Sequence, residues 1–392
     1  MNQNNSKPWL SIQYPRSIDF LQLLVRVIAF FFLVGILMSF PLWIPTRDIP
    51  LLPLYPIHSY LAPMINWVAL VSMICSLGLI IWRTKKEFVW IFMLSLAIIL
   101  SQDQLRWQPW VYLYSFLIIP FSISNDISDK GIITYLRLVI IAVYLWSGIH
   151  KMNPHFANEN FQFIIDTYFG FLPMDSRSII LNMGYFIPLI EILTAIFFLI
   201  PKTRKFGVYI AIIMHLLIIV HLSPLGIDSN TIVIPWNFAM IFIVIILFSK
   251  IRIASMTPPP FRRYWALYSL LFIMYFGPVL NSLGMWDHYL SFSLYSNKAP
   301  HFYIASEYNS FGAYNQSVVP FIREIAPSRG KGYVDVNAWC MSVLHVPFYP
   351  EERVFHQLTS FFCATDPNPD KLLFVTVKPN WNSETVHSFS CE

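Results

Sequence analysis

Apolar residues in this chain come in long runs, such as Ile132 to Ile149. Each is close to the roughly 17–25 residues a helix needs to cross the hydrocarbon of a bilayer. Lipid offers a backbone no hydrogen-bonding partner, so a run of this kind must close its own bonds as a helix. Only 12% of the residues are charged and 56% are hydrophobic, whereas a soluble domain carries about 25% charge. The net charge of +5 is small, and no basic stripe interleaved with aromatics suits a phosphate backbone, so no nucleic-acid partner is expected.

Nine runs are expected to span: residues 19–42, 61–82, 87–102, 109–122, 132–150, 180–200, 206–222, 231–249 and 265–282. The third and fourth are short and flank Asp103 to Pro109, which suits tilted helices or a re-entrant pair. The expected fold is an all-α polytopic membrane bundle of about nine transmembrane helices (residues 19–283). It follows a cytoplasmic tail (1–18) and precedes a small extracytoplasmic α+β domain (284–392). Residues 1–18 are mostly polar and no small-residue cleavage site follows the first run, so that helix is expected to stay.

Positive charge orients the bundle. With the N-terminus in the cytoplasm, Lys7, Arg16, Arg83, Lys85, Lys86, Lys130, Lys202, Arg204, Lys205, Lys250, Arg252, Arg262 and Arg263 fall on that side. Arg47, Arg106, Lys151 and Arg177 fall on the other, a bias of about three to one. If the cell is bacterial, the protein would then sit in its plasma (inner) membrane with the tail outside. Asp103, Arg106, His150, Lys151, His221, Asp228 and Asn237 would all lie at or near the outer helix ends.

Three ionisable residues fall inside the spans. Arg26 and Arg137 lie within two turns of the cytoplasmic ends, where an arginine snorkels. Glu191 and His215 lie near the middle of theirs. A lone charge there costs at least about 2.5 kcal/mol, so Glu191 should be protonated or paired, with His215 as first-choice partner. A buried helix–helix lock and a proton-handling role both remain open for this pair.

In the tail, Pro350-Glu351-Glu352 opens a helix, since proline suits the first position and acids suit the N-terminal dipole. Val354, Phe355, Leu358, Phe361 and Phe362 form its apolar stripe. Residues 372–377, and more loosely 301–305, alternate like strands. Cys75 falls inside an apolar run, while Cys340, Cys363 and Cys391 fall in the tail and allow at most one bridge there. No CxxC, HExxH, GxSxG, P-loop or GxGxxG is present, and His215 and His221, six apart, face different ways, so no metal is expected.

The densest polar chemistry is Tyr144-Leu-Trp-Ser-Gly-Ile-His150-Lys151-Met-Asn153. A lysine acts as a base only when neutral, which apolar surroundings and nearby positive charge favour. Trp146 would supply the first effect, and a protonated His150 or Arg106 the second. An interfacial lysine reaching for headgroups is the plainer alternative. Asp103 and Arg106, three apart, can pair on a helical turn. Trp107, Trp110, Tyr112 and Tyr114 suit an interfacial aromatic belt or stacking against a flat lipophilic ring. Asn237 can bond backbone freed by Pro235.

The stretch Tyr144 to Asn153 resembles the segment of vitamin K-dependent gamma-carboxylases that ends in their catalytic lysine. Trp107-Gln-Pro-Trp110-Val-Tyr-Leu-Tyr114 resembles a second segment of those enzymes. Gly184 through Glu191, Pro201-Lys-Thr-Arg204, Met214-His215 and Leu225-Gly226 resemble a third. In order and spacing, residues 20–290 are similar to the horizontally transferred transmembrane (HTTM) domain that those carboxylases share with many bacterial proteins.

The resemblance implies a carboxylase- or epoxidase-like lyase or oxidoreductase using a reduced, vitamin K-like quinone at an extracytoplasmic site. Lys151 would be the base, with His150 beside it. Asp103, Arg106, Trp107, Trp110, Trp146 and Asn237 would bind substrate, and Glu191 with His215 would support them. Where the carboxylases carry a histidine before Tyr-Leu-Tyr, this chain has Trp110, and its tail is much smaller than their propeptide-gripping domain. The alternative is a non-catalytic membrane component that binds a lipid or a partner protein through its C-terminal domain.

Overall fold

The computed structural model describes residues 17–55, 63–123, 130–227, 229–251, 256, 261–307, 318–326, 331–366 and 368–391. Lys7, Arg16, Asp228 and Arg252, which enter the orientation argument above, lie outside them.

Helices α1 (Ser17–Met38), α2 (Phe40–Trp43), α3 (Pro63–Trp82), α4 (Lys86–Gln102), α5 (Pro109–Ile118), α6 (Pro120–Ile123) and α7 (Lys130–Lys151) come first. Next are α8 (Phe161–Phe169), α9 (Met174–Leu181), α10 (Phe186–Leu199), α11 (Arg204–Leu222), α12 (Val233–Val244) and α13 (Phe261–Asn281). Among the described residues seven helices are long and apolar enough to cross a membrane. The chain is therefore a multi-pass membrane protein.

Nine spans were expected, and the two runs outside these seven are the shortest of the nine. Helix α4 has 17 residues, and the apolar stretch Pro109–Ile123 is interrupted at Pro120, which has no N–H to continue the ladder. The candidate span Met174–Leu199 is also not one rod. Helix α9 ends in tight turns through Asn182 and Gly184, and α10 starts afresh at Phe186.

Arg137 does not snorkel. It is buried and donates to the carbonyls of Leu247 (2.9 and 2.8 Å) and Ile251 (2.9 Å), where α12 ends in a π-turn over Ile245–Lys250. Those carbonyls lack helical partners, so the guanidinium satisfies a helix terminus inside the bundle.

The C-terminal region is a five-stranded antiparallel sheet with two helices. The strands are β1 (His301–Glu307), β2 (Ile322–Ala326), β3 (Lys331–Asp335), β4 (Leu373–Pro379) and β5 (Glu384–Ser390), in the order β2-β3-β1-β4-β5. Helices α14 (Val336–Leu344) and α15 (Glu352–Thr365) cover one face. Phe302 and Phe374, on the same side of the sheet, are buried with Val354, Phe355 and Leu358 of α15, and the Phe302 and Phe355 rings stack at 4.8 Å. Phe361, expected in the apolar stripe, is exposed instead: it turns outward while Phe362 is buried. Cys363 and Cys391 form a disulfide that ties α15 to the end of β5.

This domain is bonded onto one end of the helical bundle. Arg353 donates to Asp287 (Nη1, 2.8 Å) and to Gln104 (Nε, 2.7 Å), and Gln108 donates to the Pro347 carbonyl at 3.0 Å. Burial holds the Tyr349 hydroxyl well above its ordinary range, so it stays protonated and donates to Asp287 at 2.6 Å. Tyr112 is then the donor to Tyr349 at 2.9 Å. These contacts hold the turn after α4 and the start of α5 against the C-terminal domain.

Candidate functional site

The residues singled out by sequence divide into three groups. In the first, Asp103 ends α4 and is fully buried. Its carboxylate pairs with Arg47 at 2.7 Å, lies 3.5 Å from Arg106 Nε, and accepts from the backbone N–H groups of Leu52 and Leu105 at 3.2 Å. Arg106 donates to the carbonyls of Leu42 (3.1 Å), Ile99 (3.0 Å) and Trp43 (3.0 Å). Burial pushes its guanidinium down to about 9, with Asp103 opposing the fall, so it is still charged at neutral pH. Every strong direction of this pair is spent on the protein's own chain. It clamps helix ends and presents no free group.

Trp107 and Trp110 belong to the same region. Trp107 Nε1 donates to the Leu100 carbonyl at 2.7 Å. Trp110 lies in the bundle core between Phe32, Trp43 and Tyr114. It lies so close to Gly35 that a Cβ there would come within 2.9 Å of the indole. The aromatic motif is a packed core in this part of the bundle.

The second group forms around α7. Tyr144, Ser147 and Lys151 stand three and four apart, on one face of the helix. Gly148 lets α10 approach that face closely: a Cβ on it would lie 2.7 Å from an Ile192 side-chain carbon and 2.8 Å from the Pro188 carbonyl. At this contact Lys151 Nζ donates to both oxygens of Glu191, at 3.0 and 2.9 Å, and to Ser147 Oγ at 2.6 Å. Both charged side chains are at most 10% exposed.

Glu191 therefore takes Lys151 as its partner in place of His215, which was the sequence expectation. The cause is depth. Helix α10 begins only at Phe186, so Glu191 lies in its second turn, level with the end of α7.

His215 enters a different chain of bonds. Asn237 donates from Nδ2 to the Val233 carbonyl at 2.8 Å, which leaves its oxygen to accept from His215 Nδ1 at 2.7 Å. His215 Nε2 is then the acceptor, and Tyr144 donates to it at 2.6 Å. Tyr144, His215 and Asn237 thus link α7, α11 and α12 in a directed series. Sequence reading missed Tyr144 and Ser147, although their spacing from Lys151 was the available signal.

The third group is Trp146 and His150, one turn apart on another side of α7. Their rings lie 5.8 Å apart, and His150 is 1% exposed. Among the described residues neither ring nitrogen of His150, nor the indole nitrogen of Trp146, has a hydrogen-bond partner. Asn153 donates both to the His150 carbonyl (2.7 Å) and to the Ser296 carbonyl (2.9 Å), which draws the connector before β1 over this end of α7.

One cluster of metal-ligating types occurs among the described residues: His155, Glu159 and Glu384. Both nitrogens of His155 are already engaged, with Glu159 Oε1 at 2.8 Å and the Asn380 carbonyl at 2.7 Å.

The sequence model of one family, described as Methylamine utilisation protein MauE, matches residues 129–227. This is about a quarter of the chain, and it is the quarter that runs from α7 to the end of α11. Tyr144, Trp146, His150, Lys151, Glu191 and His215 all lie inside the match, and Asn237 lies outside it. No curated protein matches the chain. No solved structure matches it.

Proposed function

We propose that this integral membrane protein is an enzyme of the carboxylase-like (HTTM) kind, with its site at the extracytoplasmic end of α7 and with Lys151 as the base. The observation that carries the reading is the Lys151 amine held against both oxygens of Glu191 in a nearly dry helix interface. A separation of about 3 Å is within the reach that proton transfer requires. With that proton on Glu191, Lys151 is a neutral amine and can take a proton from a hydroxyl of a reduced quinone, the substrate the resemblance implies. The unpartnered nitrogens of Trp146 and His150 suit an oxygen-bearing apolar ligand. Asp103, Arg106, Trp107 and Trp110 act as scaffold under this reading.

The outward placement of the tail rests on the charge bias and is supported by the Cys363–Cys391 disulfide, since such bonds persist in oxidising compartments. The match to a methylamine utilisation family would carry over a role in that process, but only through a quarter of the chain.

The test is hydroquinone oxidation by the purified full chain in lipid nanodiscs. Activity that is lost in Lys151→Ala, while the variant keeps its elution profile, supports the reading. Unchanged activity in that variant ends it. A second reading, a non-catalytic component, is favoured by one observation: three acceptors occupy the amine as it stands. It predicts that no hydroquinone is consumed by any variant, and that removal of residues after 290 abolishes association with a partner.

A further inference from the structure

We infer that the Trp146–His150 side of α7 is a binding site for an amphiphile whose polar end is an anionic oxygen, held by His150 and Lys298 with its apolar body along Trp146. The inference rests on the reading of this helix end as a ligand site, but not on Lys151 acting as a base.

A buried imidazole is nearly always hydrogen-bonded, because a donor or acceptor left unmet in a dry interior has lost its water and gained nothing in return. His150 is 1% exposed with both nitrogens unmet among the described residues, and the indole N–H beside it is unmet as well. Two such side chains side by side on one helix face, one turn apart, point to a shared partner from outside the chain.

The sign of that partner follows from the surroundings. Lys298, His288 and Lys151 are the charged or titratable groups that act on His150, and all are basic. Lys151 is neutralised by Glu191, and His288 sits 3.0 Å from a Glu351 oxygen. Among the described residues Lys298 has no such acid. Burial lowers its amine from the ordinary value, a penalty that a bound anion would offset. The Asn153–Ser296 bond fixes the connector two residues before Lys298 at the His150 end of α7.

The connector is held in a costly shape. Phe292, Tyr295 and Asn297 have φ of 56°, 53° and 52°, in the left-handed region that side chains larger than asparagine disfavour. Bonds from Asn160 to the Tyr295 carbonyl and from Asn297 to Glu159 keep it there. Trp146 is only half-buried. Its exposed indole surface would carry the apolar body, with its N–H and the imidazole beside it meeting the polar end.

A long-chain carboxylate and a lipid phosphate share this chemistry, and the probes separate them. The full chain, delipidated in detergent, is titrated with palmitate, with palmitoyl lysophosphatidate and with methyl palmitate, and bound mass is read by native mass spectrometry. Tight 1:1 binding of palmitate or of the lysophosphatidate names the source. Methyl palmitate is expected to bind at least tenfold more weakly. His150→Phe, and separately the milder Lys298→Met, are expected to weaken the preferred anion about tenfold without moving the elution profile.

Equal binding of the methyl ester, or unchanged anion binding in both variants, overturns the inference. Should Lys151→Ala lose hydroquinone oxidation yet bind the anion as before, both proposals stand. Should every variant bind the anion normally while Lys151→Ala loses activity, the binding site falls and the assignment of Lys151 as the base survives.

Discussion

Lys151 Nζ lies 2.9 Å and 3.0 Å from the two carboxylate oxygens of Glu191, so an acid in one spanning helix and an amine at the lip of another neutralise each other in a nearly dry contact. Each charge depends on the other. Removing one partner leaves a lone buried charge, which typically costs about 3–5 kcal/mol, whereas replacing both by apolar groups is often neutral. Lys151→Met and Glu191→Leu are therefore expected to lower the melting temperature singly, and the double variant to recover most of the loss. Fluorescence-detected melting in one detergent checks this. A double variant no better than the worse single would show that the two do not stabilise each other.

The Tyr144–His215–Asn237 series fixes a tautomer. Asn237 is oriented by its bond to Val233, so His215 carries its hydrogen on Nδ1 and accepts at Nε2. Nitrogen-15 spectra of histidine-labelled protein should show His215 as the neutral Nδ1–H form. Tyr144→Phe should shift the Nε2 resonance and cost about 0.6–1.7 kcal/mol, the range for a polar contact between membrane helices. Asn237→Leu should release the tautomer. A Nε2–H signal in the unaltered protein would refute the direction of the series.

Gly148 controls whether these groups meet. Any side chain at 148 would run into Ile192 and the Pro188 carbonyl, and backbone atoms cannot yield as a side-chain tip can. Gly148→Leu is expected to push α7 and α10 apart and to separate Lys151 from Glu191. Lys151 should then become reactive toward a small amine reagent that leaves it untouched in the unaltered protein. Peptide mass mapping after brief labelling reads this out. A Lys151 that stays protected in Gly148→Leu would mean that the helices do not rely on this close approach.

Much of the architecture was legible in the sequence because bilayer thickness sets helix length. Lys151 and Glu191 were both recognised, and their pairing was not. The apolar run 180–200 hid the turns that restart α10 at Phe186, so Glu191 was placed at mid-span and matched by depth with His215. A lysine side chain also reaches well beyond its own Cα, which a comparison of helix positions ignores. Asp103 and Arg106 were found for their chemistry, but nothing local marks an arginine whose acceptors are carbonyls at Leu42 and Trp43, more than sixty residues away. Asp287, Tyr349 and Arg353, which bond the tail to the bundle, carry no motif. Only the folded chain brings them together.

His155 gives the tail a pH-dependent attachment. Its two ring nitrogens face a carboxylate oxygen of Glu159 and the carbonyl of Asn380, neither of which can donate, so both nitrogens must carry hydrogen and the ring is an imidazolium. The Glu159 bond raises its pKa above the ordinary 6.5, and Glu384 from β5 adds to the rise. A raised folded-state value means the contribution is complete below about pH 6.5 and is lost as pH climbs through the higher folded value. The turn between β4 and β5 should accordingly be held to the segment after α7 in mild acid and loosen in mild alkali. Hydrogen exchange, corrected for the intrinsic pH dependence of amide chemistry, is expected to show residues 380–384 losing protection between pH 6 and pH 8.5. His155→Gln, which can still bond but cannot titrate, should flatten that profile. Persistence of the full pH dependence in His155→Gln would assign it to another group.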